Sequence, residues 1–126
     1  MPVRGIGIDV VRVERIGESL ARFGERMERR LFTEGELAYC RTFQDPLPHL
    51  AARFAAKEAV FKALATGVPD TGSWREVEVL SAAGGPREVI LHGKTKTLAE
   101  GLGVRRIRLS VSHTRTLAAA GVVLES

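Results

Sequence analysis

The sequence has almost no cysteine, few aromatic residues and no long hydrophobic run. Cys40 is the single cysteine in 126 residues, which excludes an intramolecular disulfide, and no Cys or His stands near it at metal-ligand spacing. No apolar run approaches the roughly 18 to 20 residues that cross a bilayer. The N-terminal stretch carries an acid and several arginines where a secretory signal would be apolar. We therefore expect a cytoplasmic protein without a membrane segment.

Glycine and proline are also too scarce for a collagen-like or disordered chain, at 13 and 5 residues. The length corresponds to one domain, predicted to span residues 1–126. The 19 Lys and Arg outnumber the 15 Asp and Glu, and most of the basic residues are Arg. Because the guanidinium fork pairs with phosphates and carboxylates, the charge balance weakly favours partners of that chemistry.

Apolar periodicity predicts one α+β domain. Alternation from Val3 to Val11 predicts a strand that ends near Asp9, and spacing by threes and fours from Val13 predicts a helix that Gly17 and Gly24 weaken and could break. Two further helices follow: one has a capping box at Thr33 and Glu36 and ends before Pro46, and an Ala-rich one spans 49–66 and is closed by Gly67. The remaining predicted elements are a hairpin with strands around 77–79 and 89–91, a helix over 94–102, and strands over 106–112 and 117–124.

Two charges lie on the apolar side of the Ala-rich helix. On a helical wheel Glu58 falls between Phe54 and Ala51, and Lys57 also falls among apolar positions. A buried unpaired charge costs several kcal/mol, so such residues need a counter-ion, a metal or a function. One interpretation is an internal salt bridge or a side chain that reaches water. The other is a phosphate site with a metal ligand, because Arg53 and Lys62 frame the same stretch.

Asp9 is the second acid in an apolar context. It follows Gly5 and Gly7 in the first predicted strand, where Asp is disfavoured and where small neighbours permit close backbone approach. It could be an ordinary strand-end residue. Together with Glu58, however, it could converge on one Mg²⁺, which takes carboxylate oxygens and substrate phosphates.

The remaining histidines and serines do not form a recognisable hydrolase site. Ser110, Ser112 and His113 share one predicted strand, but no nucleophile elbow or third orienting group accompanies them. His49 and His92 have no special setting and are interpreted as surface or structural residues.

A basic stripe lies beside the apolar face of the first predicted helix. It could be a solvated face, or it could dock an acidic protein or a nucleic acid. Base stacking would require interleaved aromatic residues, and Phe23 alone occurs there. The stripe consists of Arg12, Arg15, Arg22, Arg26, Arg29 and Arg30.

Three segments together resemble the holo-acyl-carrier-protein synthases, the small single-domain 4′-phosphopantetheinyl transferases. They are GIGIDVVRVERI at 5–16, RFAAKEAVFKALATG at 53–67 and LSVSHTRTLAAAGVVLE at 109–125. The sequence departs from the family pattern at the hairpin over 84–87. The resemblance implies an antiparallel sheet packed against a long central helix, and a homotrimer with active sites between subunits. It also implies transfer of phosphopantetheine from coenzyme A to a serine of acyl carrier protein for fatty acid biosynthesis, with adenosine 3′,5′-bisphosphate leaving.

The resemblance also implies roles for individual residues. Asp9 and Glu58 would bind Mg²⁺, Lys57 and Lys62 would face the diphosphate, and Arg53 and His113 would meet the 3′-phosphate side of coenzyme A. The serine proton would go to Glu58 or to a water held by the metal. The predicted catalytic residues are Asp9, Glu58 and Lys62, the predicted coenzyme A residues are Arg53, Lys57, Lys62, Gly67, His113 and Thr114, and the predicted carrier-docking residues are Arg15, Arg22 and Arg26.

Two alternatives use the same residues differently. A nucleic-acid-binding module would explain the basic stripe but not Glu58 and Lys57, and we expect no nucleic-acid partner. A Mg²⁺-dependent phosphohydrolase would use the two acids with water as the acceptor. Dependence on coenzyme A and on a carrier protein separates these alternatives from the transferase.

Overall fold

The structure, a computed structural model, describes residues 2–65, 73–81 and 86–126. The regular elements in these ranges begin with one strand and four successive helices, and continue with two pairs of strands separated by one helix. They are β1 (Val3–Arg12), α1 (Val13–Phe23), α2 (Glu25–Leu31), α3 (Glu34–Cys40), α4 (Leu47–Ala63), a 3₁₀ turn (Trp74–Glu76), β2 (Val77–Ser81), β3 (Arg87–Leu91), α5 (Gly93–Gly101), β4 (Arg106–His113) and β5 (Leu117–Glu125).

The strands form two antiparallel sheets. One has the order β1-β5-β4 and the other pairs β2 with β3. Helix α4 packs across β1 and β5, and its alanines form much of the core together with apolar residues of β5. The predicted α+β fold, with an antiparallel sheet against a long central helix, is confirmed.

Two glycines allow the helix to approach the strand. A Cβ added at Gly7 would lie within van der Waals overlap of the carbonyl oxygen of Ala59, and one at Gly5 would overlap that of Ala63. The predicted close backbone approach is therefore confirmed. Because Gly5 approaches Ala63 and Gly7 approaches Ala59, residues that follow Gly7 on the strand lie toward the middle of the helix.

Several predicted boundaries were wrong. Strand β1 continues past Asp9 to Arg12, because β5 pairs with it as far as Leu117. The first helix, in contrast, breaks at Gly24, one of the two glycines expected to weaken or break it, where φ is +64°, a conformation that glycine adopts without a steric penalty; Gly17 lies within α1. Helix α4 begins two residues earlier than predicted and ends at Ala63, whereas the predicted closing residue Gly67 lies outside the described residues.

The capping box of α3 is present as predicted. The Thr33 hydroxyl accepts a hydrogen bond from the backbone of Glu36, and the Glu36 carboxylate accepts one from the backbone of Thr33 at 2.8 Å. Strands β2 and β3 pair as the predicted hairpin requires, although its turn falls outside the described residues. In the ranges that the structure covers, no helix has the length and apolar character needed to cross a membrane.

Candidate active site

The two acids predicted from the sequence meet at the contact between β1 and α4. Glu58 is half-buried, and both desolvation and the negative charge of Asp9 raise the pKa of its carboxyl group. Lys62 lies one helical turn after Glu58 and donates a hydrogen bond to Asp9 Oδ1 at 2.8 Å. Its Nζ also lies 3.3 Å from the carbonyl oxygen of Ile8. The structure therefore brings Asp9, Glu58 and Lys62 into one cluster, as the sequence analysis predicted.

This cluster fits a divalent cation whose ligands come partly from the protein and partly from a substrate. In the part of the chain that the structure describes, no group of three His, Cys, Asp or Glu side chains could hold a metal by itself. Mg²⁺ is commonly bound through one or two carboxylates and completes its shell with water and substrate phosphates. The positively charged ammonium group of Lys62 already lies against Asp9. Two adjacent carboxylates that attract cations are thus compatible with a metal, provided that the substrate supplies oxygens.

A cavity of about 710 Å³ opens beside these acids. Asp9 and Glu58 are its acidic lining residues among those described, and Phe54 and Trp74 line its wall, with ring centroids 4.9 Å apart. Such a mixture of apolar walls and a few converging polar groups is typical of small-molecule sites. The other basic and apolar residues that line the cavity include Arg12, Arg15, Arg30, Ile16, Met27 and Leu31.

Lys57 has a different position from the one that the resemblance implies. Its side chain is fully buried, and its Nζ lies 2.8 Å from Glu36 Oε1 and 3.1 Å from the carbonyl oxygen of Trp74. A short third hydrogen bond reaches the carbonyl oxygen of Val77. Desolvation lowers the pKa of Lys57, although Glu36 opposes the shift. Because three acceptors occupy its ammonium group, Lys57 makes the internal salt bridge that was the alternative interpretation of its buried position.

Glu36 was not identified as a partner of Lys57. Its Oε1 accepts from Thr33 N and from Lys57, and its Oε2 accepts from Val79 N at 2.8 Å. The capping box predicted only the first of these contacts. One carboxylate therefore ties α3, α4 and β2 together, and its partner Lys57 is the residue before Glu58 on α4.

A second polar cluster lies at the other end of α4. The rings of His49 and Phe43 stack, with centroids 3.5 Å apart, and His49 meets His113 edge to face at 4.8 Å. Desolvation and the charges of His113, Arg53 and Arg87 lower the pKa of His49. His49 is thus in direct contact with His113, contrary to its interpretation as a residue without a special setting.

Arg53 is buried between these clusters. Its guanidinium carbon lies 4.3 Å from the Tyr39 ring centroid, and its Nη2 donates to Ser81 Oγ at 2.9 Å. Arg53 Nε has no hydrogen-bond partner among the described residues. Its charge acts on His49, which was not among the predicted coenzyme A residues, and the Arg53 side chain is 2% exposed and is held by protein contacts.

Thr114 and Gly67 were also predicted to bind coenzyme A. Thr114 lies in the turn between β4 and β5, where its hydroxyl accepts hydrogen bonds from the backbones of Thr116 and Leu117. It therefore stabilises the turn that carries His113. Gly67 lies outside the described residues.

The predicted basic stripe is divided between two helices. Arg22 lies near the end of α1 and Arg26 lies on α2, and both border one groove with Phe23 and Arg30. The Arg22 guanidinium stands 5.2 Å from the centroid of the Phe23 ring, which is 53% exposed. Arg15 lines the cavity beside the acids instead. The break at Gly24 turns a single stripe into a basic surface that leads toward the acidic cluster.

Comparisons with known proteins identify the family of this chain. A family model described as the 4′-phosphopantetheinyl transferase superfamily matches residues 5–118. The chain is 46% identical over 123 residues to a holo-[acyl-carrier-protein] synthase of Koribacter versatilis, covering 98% of each chain.

Solved structures share the fold. The holo-[acyl-carrier-protein] synthase of Neisseria meningitidis superposes with a TM-score of 0.89 at 34% identity, covering 99% of this chain and 100% of that one. The Helicobacter pylori synthase in complex with coenzyme A gives a TM-score of 0.84 at 28% identity, covering 95% and 99%. The resemblance drawn from the sequence is confirmed, and the chain belongs to the 4′-phosphopantetheinyl transferase superfamily, among its holo-[acyl-carrier-protein] synthases.

Proposed function

We propose that this enzyme transfers the 4′-phosphopantetheine group of coenzyme A to a serine hydroxyl of apo acyl carrier protein, in support of fatty acid biosynthesis. The serine oxygen forms a bond to the β-phosphorus, the bond from that phosphorus to the bridging oxygen breaks, and adenosine 3′,5′-bisphosphate leaves with that oxygen. The observation that carries the proposal is the cluster of Asp9, Glu58 and Lys62 beside a cavity, in a chain whose relatives bear this activity in their names.

The acidic cluster would hold Mg²⁺ through Asp9 and Glu58. When bound, Mg²⁺ would stabilise negative charge on the phosphoryl oxygens, which is the main requirement of phosphoryl transfer. Lys62 would add a positive charge at the diphosphate. Glu58 lines the cavity, and desolvation and the charge of Asp9 raise the pKa of its carboxyl group, so Glu58 would accept the serine proton.

The cluster of His49, His113 and Arg53 would meet the 3′-phosphate side of coenzyme A. His49 and Glu58 are separated by about 14 Å along α4, at 1.5 Å per residue. The 3′-phosphate and the diphosphate of coenzyme A are only one ribose apart. One chain therefore reaches both groups poorly, which supports an active site shared between two copies of the chain.

The outer face of the β1-β5-β4 sheet supports the homotrimer. Ile6, Ile8 and Val10 project from it and are 72%, 68% and 60% exposed. Their partners on β5 are small or apolar, with Gly121 opposite Ile8 and Ala119 opposite Val10. An uncharged apolar row of this kind typically marks a protein interface. We assign it to further copies of this chain, and the number three follows from the family resemblance.

The carrier would approach along the basic surface. Acyl carrier proteins are strongly acidic, so Arg15, Arg22 and Arg26 would steer and orient the carrier toward the cavity. The exposed ring of Phe23 beside Arg22 adds an apolar contact to this surface.

The direct test is mass spectrometry of apo acyl carrier protein after incubation with coenzyme A, Mg²⁺ and this enzyme. We expect a gain of one phosphopantetheine and release of adenosine 3′,5′-bisphosphate. Asp9→Ala and Glu58→Ala should each lower the rate by roughly a thousandfold or more, because a lost metal ligand removes several kcal/mol of transition-state stabilisation.

The matched control is Glu14→Ala, which removes an exposed acid from the first turn of α1. It should transfer at a normal rate. Release of free phosphopantetheine and adenosine 3′,5′-bisphosphate without modification of the carrier would instead identify a phosphohydrolase. Near-normal activity of either site variant in saturating Mg²⁺ would refute the shared-metal arrangement.

A further inference from the structure

Lys62 covers Asp9 from the solvent side. The Lys62 side chain is 53% exposed, whereas the Asp9 side chain is 13% exposed. Lys62 Nζ bonds to Asp9 Oδ1 and also approaches the Ile8 carbonyl oxygen, so two acceptors on β1 hold it there. A metal ion that approaches Asp9 therefore meets an ammonium group that already occupies one carboxylate oxygen.

We propose that Lys62 acts as a built-in counter-ion that competes with the metal for Asp9 until the diphosphate of coenzyme A draws the ammonium group away. The inference rests on the proposed function, because it takes Asp9 and Glu58 as the metal ligands. Metal alone would then bind weakly, and coenzyme A would strengthen metal binding by removing the competitor.

The physical basis is an exchange of partners. Lys62 lies on the last full turn of α4 and has a flexible four-carbon stem, so its ammonium group can move while the helix stays in place. Its bond to Asp9 is half open to water, and such pairs are weak enough for a stronger partner to break. A diphosphate offers several anionic oxygens, which makes it the stronger partner. By linkage, whatever coenzyme A does to metal affinity, the metal does equally to coenzyme A affinity.

The test measures Mn²⁺ binding to the protein without coenzyme A, by electron paramagnetic resonance of free Mn²⁺. Lys62→Gln should bind Mn²⁺ about fivefold more tightly than wild type, which corresponds to about 1 kcal/mol. Lys62→Arg should bind like wild type. The charge control is Arg12→Gln, which removes a positive charge from the same cavity without removing a contact to Asp9.

A second titration repeats the measurement with coenzyme A present, corrected for Mn²⁺ bound by coenzyme A alone. Coenzyme A should tighten Mn²⁺ binding to wild type by a larger factor than to Lys62→Gln. An unchanged or weaker Mn²⁺ affinity of Lys62→Gln would overturn the inference, as would equal tightening in Lys62→Gln and Arg12→Gln.

Asp9→Ala distinguishes this failure from failure of the proposed function. If Mn²⁺ binding depends on Asp9 but not on the presence of Lys62, only the counter-ion inference is wrong. If Mn²⁺ binds wild type and Asp9→Ala equally with coenzyme A present, the metal site itself is wrong and the inference falls with it.

Discussion

Replacing Lys57 by Met should destabilise the protein rather than weaken coenzyme A binding. Lys57 and Glu36 are both fully buried, and their charged atoms lie 2.8 Å apart. Met has a similar length but no charge, so the variant leaves the Glu36 carboxylate buried without its counter-ion. It also leaves the carbonyl oxygens of Trp74 and Val77 without the donor that they share.

The expected loss follows from these contacts. Removing one partner of a buried ion pair costs about 3–5 kcal/mol. Glu36 keeps its hydrogen bonds from Thr33 N and Val79 N, which favours the lower end, about 3 kcal/mol. For a chain of this size that loss lowers the midpoint temperature by about 10 °C.

The assay is urea unfolding at a fixed protein concentration, because the proposed subunit association would make apparent stability depend on concentration. The double variant Glu36→Gln with Lys57→Met should be more stable than Lys57→Met alone, since it no longer buries an unpaired charge. Coenzyme A affinity is measured on the folded single variant. Unchanged stability with a large rise in the KM for coenzyme A would refute this reasoning and would indicate that Lys57 contacts the diphosphate.

Three further predictions concern other parts of the molecule. Gly7→Ala should lower the free energy of unfolding by about 1–3 kcal/mol, because its Cβ would overlap the α4 backbone, whereas Gly101→Ala, with open space around it, should not. The lowered pKa of His49 means that the folded state disfavours its protonation, so stability should fall as pH drops below about 6.5, and His49→Phe should reduce that fall in unfolding curves between pH 7 and 5. Arg22→Glu should raise the KM for acyl carrier protein about fivefold or more with little change for coenzyme A, and an unchanged carrier KM would make Arg22 an ordinary solvated residue.

The sequence was sufficient to predict the acidic cluster because its signals are local. Gly5 and Gly7 indicate close approach of another backbone, and Asp9 interrupts an apolar strand. Periodicity alone put Glu58 on the inner side of the long helix. Local patterns did not show that β5 pairs with β1 beyond Asp9. Because of this pairing, Asp9 lies within the strand and not at its end.

Partners from distant parts of the chain could not be predicted in this way. His49 was interpreted as a surface or structural residue because nothing near it in the sequence indicates its ring contacts. Its two ring contacts come from Phe43, in the segment before α4, and from His113, at the end of β4. Only the folded chain brings residues 49 and 113 together, so a pair of histidines separated by more than half the chain gives no periodic signal.

Helix α4 shows why a motif cannot be assigned to one role as a unit. Lys57 and Glu58 are adjacent in the sequence, but successive helical residues point about 100° apart. This angle directs Lys57 toward α3 and β2, where the Glu36 carboxylate balances its charge and backbone carbonyls accept its hydrogen bonds. It directs Glu58 toward β1 and the cavity, and Lys62 follows it one turn later on that side. Two lysines that look alike in the sequence therefore have different surroundings: Lys57 is fully buried against Glu36, and Lys62 is half-exposed beside Asp9.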